Sequence, residues 1–225
     1  MALILNIDTA IYTAYVTIAK DGEIIAAINN NEQKEHGGFL QPAIKKLIAN
    51  NGYSFKDLDA IAISAGPGSY TGLRVGMATA KGLCYALNKP LISVITLEIL
   101  ACAALIEYPK TLDETTHLCP LIDARRMEVY TAMYDLGLKT VINPCAIVLT
   151  ENYLANEMLN HQVIFCGNGA KKFKEICNNI NAIFFEILNN PLAMSKLAEI
   201  KFNHNDFSSL AYVEPYYIKE FFVGK

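Results

Sequence analysis

Between the strand-like run Leu58–Ser64 and a helix-like run ending at Leu87 lies Gly66-Pro67-Gly68-Ser69-Tyr70-Thr71-Gly72-Leu73-Arg74-Val75-Gly76. A strand, a glycine-rich turn and a helix in succession make a β-α unit, which places the chain in the α/β class. Backbone N–H groups in such a turn, backed by the helix dipole, can receive a phosphate. The G-x-G-x-x-x-G spacing superficially matches a dinucleotide turn. That motif, however, belongs on the first strand with an acidic residue ending the next, and Leu91–Ile95 carries none. No G-K-[ST] follows the glycines, so a P-loop is excluded.

The flanking sequence supplies the other elements. Leu3–Ile7, Tyr12–Ala19 and Glu23–Asn29 are β-rich runs, and Asp21-Gly22 signals a hairpin between the last two. From His36 to Ala49, Phe39, Leu40, Ala43, Ile44, Leu47 and Ile48 recur at helical spacing, and Asn50-Asn51-Gly52 ends the run. A helix over Thr71–Leu87 closes at Asn88-Lys89-Pro90, before a strand Leu91–Ile95 and a helix Leu97–Glu107. The order is β-β-β-α-β-α-β-α.

Part of that order recurs. Ile7-Asp8 laid over Ile122-Asp123 also places Tyr15 on Tyr130 and Gly22 on Gly137, and Ile63–Gly68 laid over Ile164–Gly169 matches a strand followed by Gly-x-Gly. Both matches point to an internal duplication. In the second half, Glu151–Leu159, Ala170–Ile180 and Met194–Phe202 read as helices and Ile183–Ile187 as a strand. No linker or low-complexity tract interrupts the chain.

A formal net charge of −3 and a pI near 5.8 argue against a free-standing nucleic-acid binder, which would present a basic face. Asp8 breaks the first apolar run and no basic segment precedes it, so a cytoplasmic location is expected. Leu91–Ile106 is too short for a span and contains Glu98, which argues against a membrane protein. The six cysteines form no C-x-x-C pair and sit mostly in apolar runs, as core thiols do.

Gly72, Gly76 and Ala80 fall four apart, so one side of their helix is nearly bare and invites close approach, either by the protein's own sheet or by another chain. Asp8 and Asp123 end strands, as turn residues or as carboxylates placed to hold Mg²⁺ beside a nucleotide. His36, His117, His161 and His204 are far apart in sequence, with no H-E-x-x-H and no pair at i, i+4. A helical zinc site is therefore not expected. No G-x-S-x-G elbow and no evident activated nucleophile are present.

Taken in order, Ile7-Asp8-Thr9-Ala10, Glu35-His36 before Leu40 and Pro42, the glycine segment, Ile122-Asp123-Ala124-Arg125 with Glu128-Val129-Tyr130, Gly167-Asn168-Gly169 and Glu214-Pro215-Tyr216-Tyr217 resemble the TsaB (YeaZ) family. This family belongs to the bacterial tRNA threonylcarbamoyladenosine machinery. The resemblance spans nearly the whole chain. It implies an actin-like ATPase (ribonuclease H-like) fold of two lobes, each a mixed five-stranded sheet flanked by helices, with the second lobe degenerate. The lobes would be residues 1–107 and 108–225, the last residues packing back on the first lobe. The implied role is a non-catalytic scaffold for TsaD. That enzyme carries the metal and threonylcarbamoylates the adenosine adjacent to the anticodon of tRNAs reading ANN codons. By the same resemblance TsaE would join the pair, tRNA would be met only through the complex, and the isolated chain would form a homodimer.

Carried over residue by residue, the pairing surface would comprise His36, Phe39, Leu40, Ala43 and Leu47 on the first helix and Leu73, Gly76, Met77, Ala80 and Leu83 on the second. No residue is assigned to catalysis and no metal is expected, because the H-x-x-x-H pair of TsaD is missing. Asp8, Gly66, Gly68, Asp123, Gly167 and Gly169 would be a vestigial nucleotide site. Active actin-like kinases place glycine third in a D-x-G turn, whereas Ala10 and Arg125 stand there. The expectation is no required cofactor, at most weak ATP or ADP binding with Mg²⁺ accompanying the nucleotide, and little or no ATP turnover. The alternatives are an active actin-like small-molecule kinase and a metallopeptidase-like hydrolase.

Overall fold

A computed structural model describes residues 2–31, 36–187 and 190–219. The first sheet contains β1 (Leu3–Asp8), β2 (Ala14–Lys20), β3 (Glu23–Asn30), β4 (Ala60–Gly66) and β5 (Leu91–Ile95). Its helices are α1 (His36–Asn50) and α2 (Tyr70–Leu87), with α3 (Thr96–Glu107) following β5. The second sheet contains β6 (His117–Asp123), β7 (Glu128–Tyr134), β8 (Thr140–Val148), β9 (Val163–Cys166) and β10 (Ala182–Phe185), with α4 (Ala170–Lys174) after β9 and α5 (Pro191–Asn203) after β10.

Both sheets are wired alike. The strand orders are β3-β2-β1-β4-β5 and β8-β7-β6-β9-β10. In each, the three hairpin strands pair antiparallel and the remaining two join in parallel. This repeated wiring is the duplicated ribonuclease H-like arrangement expected from the sequence.

The chain divides into two compact units, Met1–Ile99 with Asn190–Tyr216 and Leu100–Asn189 with Tyr217–Lys225. The first of these ends at Ile99, and Asn190–Tyr216 belongs to it because α5 returns to the first sheet. There the Asn6 amide donates to Ser195 Oγ on α5 and to Thr17 Oγ1 on β2, each at 3.2 Å.

Local chemistry explains the well-anticipated elements. Asp21 and Gly22 take φ of 53° and 78°, the left-handed pair that a tight hairpin needs. The β1 and β4 strands are buried along their whole length, as central strands covered on both faces are. Ser69 caps α2 by accepting from Gly72 N at 3.3 Å, and left-handed Asn88 closes it with its N–H on Cys84 O. The first core joins Leu5, Ile7, Ile18 and Ile63 to Leu40, Ile44, Leu47 and Ile48 of α1 and to Met77, Ala80 and Cys84 of α2. Each fully buried Leu or Ile contributes about 1.5–3 kcal/mol.

The second unit is the abbreviated copy. The helix expected over 151–159 is a series of turns ending in a single 3₁₀ turn, Glu157–Leu159, and Leu154 breaks it at φ 56°. The helix expected over 170–180 stops at Lys174. Beyond it, Asn179 Oδ1 takes Asn181 N at 2.9 Å in a competing side-chain turn. Its core still closes around Phe165 and Phe173, whose rings meet edge to face at 4.7 Å.

In the first unit, burial raises the Glu98 carboxyl above its ordinary value of 4.5, and Asp206 adds to this while Lys201 opposes it. The ionised form is thus the one folding disfavours, at full cost above the raised value and at none below 4.5. Glu98→Gln is expected to raise stability at pH 7 to 8. Urea unfolding should show that gain vanishing as the pH falls below the ordinary value.

Candidate functional site

The two strand-end aspartates cap their own turns. Asp8 Oδ1 accepts from Ala10 N at 3.1 Å, and Asp123 Oδ1 accepts from Arg125 N at 2.6 Å. In the first unit the glycine segment wraps the turn that follows Asp8. Ser69 N donates to Ala10 O at 2.6 Å, Thr9 Oγ1 donates to Gly72 O at 2.7 Å, and Thr9 N donates to Ser64 Oγ at 3.3 Å. A Cβ on Gly68 would lie 2.1 Å from Ala10 O, and one on Gly72 would lie 2.1 Å from Thr9 O. One on Gly76 would lie 2.4 Å from Thr9 Oγ1. These glycines make room for the protein's own backbone, and the Ser69 N–H that could have met a phosphate is already bonded to it. The bare side of α2 is thus an internal contact.

Gly66, at φ 118°, leaves room for Tyr216, whose N–H donates to Ala65 O at 2.7 Å. A Cβ there would meet Tyr216 O at 2.6 Å. The expected nucleotide residues of this unit, Asp8, Gly66 and Gly68, therefore do not fit a bound phosphate.

In the second unit Asp123 is held by Lys172 Nζ at 2.7 Å, and its N–H donates to Asn168 Oδ1 at 2.9 Å. Arg125 holds the left-handed φ of 73° in the place where kinases carry glycine. The Gly-x-Gly of this unit sits deeper along its neighbouring strand. A Cβ on Gly169 would meet Leu121 at 3.0 Å, two residues before Asp123, whereas Gly68 faces Ala10, two residues after Asp8. The register also corrects the sequence superposition. Asp8 pairs with Tyr15 but Asp123 pairs with Val129, so Tyr130 is one position out because the second turn is shorter. Gly167, at φ 88°, lines a cleft of about 630 Å³ together with Asn168, Lys171, Lys174 and Phe184.

The nominated pairing residues need a larger correction. Leu40, Ala43 and Leu47 of α1 and Leu73, Gly76, Met77 and Ala80 of α2 are buried against the first sheet. Phe39 and Leu83 are half-buried against the same core. The apolar stripe of each helix is the one that seals its own sheet, and a side chain so used is not available to a partner. Backbone of His36 opens α1, while its side chain lies outside the described residues.

The outward faces are different. On α1 they present Gly37, Gly38, Gln41, Pro42 and Lys45, and on α2 they present Arg74, Ala78, Gly82, Tyr85 and Ala86. Tyr85 is 82% exposed, and a Cβ on Gly82 would touch nothing within 4 Å. Gln41 Nε2 donates to Thr79 Oγ1 at 3.5 Å, so the two faces are neighbours.

All six cysteines are free thiols and four are buried. Burial pushes Cys84 and Cys119 up to about 12, so neither supplies a thiolate at neutral pH. His117 and His161, unrelated by sequence spacing, have ring centroids 4.4 Å apart. Burial, and secondly the neighbouring His161, hold the His117 imidazole below its ordinary value. Among the described residues no helix is long and apolar enough to cross a membrane.

The family model for TsaD, described as a tRNA N6-adenosine threonylcarbamoyltransferase, matches residues 23–211. The chain is similar to the tRNA threonylcarbamoyladenosine biosynthesis protein TsaB of Bacillus subtilis, at 32% identity over 79% of this chain and 76% of that protein. It is likewise similar to the protein of the same name from Haemophilus influenzae, at 28% identity over 96% and 93%. Among solved structures, YeaZ from Pseudomonas aeruginosa superposes with a TM-score of 0.81 at 23% identity, covering 96% of this chain and 100% of that one.

Proposed function

The chain belongs to the TsaB family of tRNA threonylcarbamoyladenosine biosynthesis proteins, and from that premise we propose that it serves as the non-catalytic partner of TsaD. The observation that carries this reading is the two-sided character of α2. Its inner small residues, Gly72 and Gly76, are filled by Thr9 of the same chain, while outer Ala78, Gly82 and Ala86 have an open helix surface beside exposed Tyr85. A helix so thinly clothed on its outer side lets another helix approach closely, and Tyr85 supplies the large amphipathic anchor that interfaces favour.

The same face serves a second copy of the chain when TsaD is absent, so homodimer and heterodimer exclude one another. TsaE joins the TsaD pair. With a net charge of −3, this chain leaves the tRNA phosphates to its companions. No nucleotide step is assigned to it, since the turn around Thr9 and Ala10 already holds the donors a phosphate would use. The purified chain is expected to show no ATP turnover above background, which a phosphate-release assay would measure.

Reconstitution tests the proposal. TsaD, TsaE and the adenylate-forming enzyme are incubated with tRNA, with and without this chain. Threonylcarbamoyladenosine should accumulate only in its presence. Equal accumulation without it would overturn the reading.

A further inference from the structure

At the amino end of the second sheet, well away from the turns described above, three metal-ligating side chains meet. His117 opens β6, and its N–H donates to Gln162 O at 2.9 Å beside the start of β9. His161 lies just before β9. The 3₁₀ turn Glu157–Leu159 brings Glu157 to the same place, with His161 N bonded to Glu157 O at 3.1 Å. One ligand atom from each of His117, Glu157 and His161 lies within 4.8 Å of the others. We propose that these residues form a binding site for a divalent transition-metal ion of the zinc class.

Three features support it. First, His161 Nδ1 lies 2.9 Å from Thr115 O, and a carbonyl can only accept. In the neutral imidazole the ring proton therefore sits on Nδ1 and leaves the Nε2 lone pair for a metal, the arrangement that commonly orients a ligating histidine. Second, His117 Nδ1 is buried with no hydrogen-bond partner. Buried polar atoms are seldom left this way, and a cation would satisfy it. Third, two imidazoles and a carboxylate make a donor set suited to Zn²⁺, with a fourth position left for water. Glu157 also borders an open cleft of about 500 Å³ lined by Asn152, Leu154 and Asn156. Tetrahedral coordination would bring the donors to about 3.3 Å from one another, so the side chains close around the ion when it binds.

The site sits at the far end of β6 from Asp123, roughly 20 Å along the strand. It therefore clamps the starts of β6 and β9 and the turn before β9, and takes no part in the chemistry of the opposite edge.

Untagged, chelator-treated protein is titrated with ZnCl₂ by calorimetry and with CoCl₂ by visible absorption, and the thermal midpoint is followed in parallel. The wild type is expected to bind one equivalent and to gain thermal stability. His117→Gln and His161→Gln should lose both effects, and Glu157→Gln should bind about tenfold more weakly. His204→Gln, on exposed α5-terminal His204, should behave as wild type. Circular dichroism establishes that each variant is folded. If His117→Gln does not fold, Glu157→Gln and His161→Gln decide the matter. Absence of saturable binding, or binding that survives loss of these side chains, would overturn the proposal.

Discussion

Gly72→Ala is expected to destabilise the protein by about 3 kcal/mol, whereas Gly82→Ala, further along the same helix, is expected to stabilise it by about 0.5–1 kcal/mol. Intrinsic helix propensity favours alanine at Gly82 in the helix interior and does not oppose it at Gly72 in the first turn, so the loss expected at Gly72 comes from its surroundings. A methyl at Gly72 meets Thr9 O at 2.1 Å, a backbone atom that cannot move without disturbing the Thr9 Oγ1 bond to Gly72 O and the Ser69 bond to Ala10 O. A methyl at Gly82 meets nothing within 4 Å. Urea denaturation of the two variants measures the difference directly. Equal effects of the same sign would mean that α2 does not press on the Asp8 turn as described.

Gly82→Arg combined with Tyr85→Asp is expected to leave the fold intact and to weaken association with TsaD by at least about 100-fold, a typical loss when a central anchor is removed and a bulky charge inserted. Both positions face outward, so circular dichroism and the thermal midpoint should stay near those of the wild type. Leu40→Asp makes the instructive contrast. Leu40 is fully buried, and an aspartate there would put an unpaired charge into the core of the first unit, so that variant should fail to fold rather than fail to pair. Size-exclusion chromatography with light scattering separates the two outcomes.

The fold was readable because each element of the first unit announces itself locally. Asp21-Gly22 supplies its own hairpin geometry, Asn88 its own helix end, and the apolar spacing of α1 its own buried stripe. In the second unit these signals weaken. Apolar residues within 151–159 suggest a helix, but Leu154 in a left-handed conformation and the neighbouring asparagines turn the chain instead.

The burial of the nominated pairing residues has a related reason. Apolar residues at helical spacing mark the face that is buried, and in a chain with its own sheet to cover, that face goes inward. The outward face is written in what α2 lacks, at Ala78, Gly82 and Ala86, which carries little signal until the sheet shows which way the helix points. The His117, Glu157 and His161 cluster was hidden differently. Glu157 and His161 are four apart, but only the parallel pairing of β6 with β9 brings His117, about forty residues earlier, beside them.

A photo-reactive benzophenone amino acid placed at Tyr85, and separately at Ile180 in the second unit, offers the most direct test, because both side chains are highly exposed at 82% and 94%. On irradiation with TsaD present, the Tyr85 probe should yield a covalent adduct with TsaD, and with TsaD absent an adduct with a second copy of this chain. The Ile180 probe should yield neither. Adducts to TsaD from position 180 with none from position 85 would contradict the assignment of the outer α2 face as the docking surface.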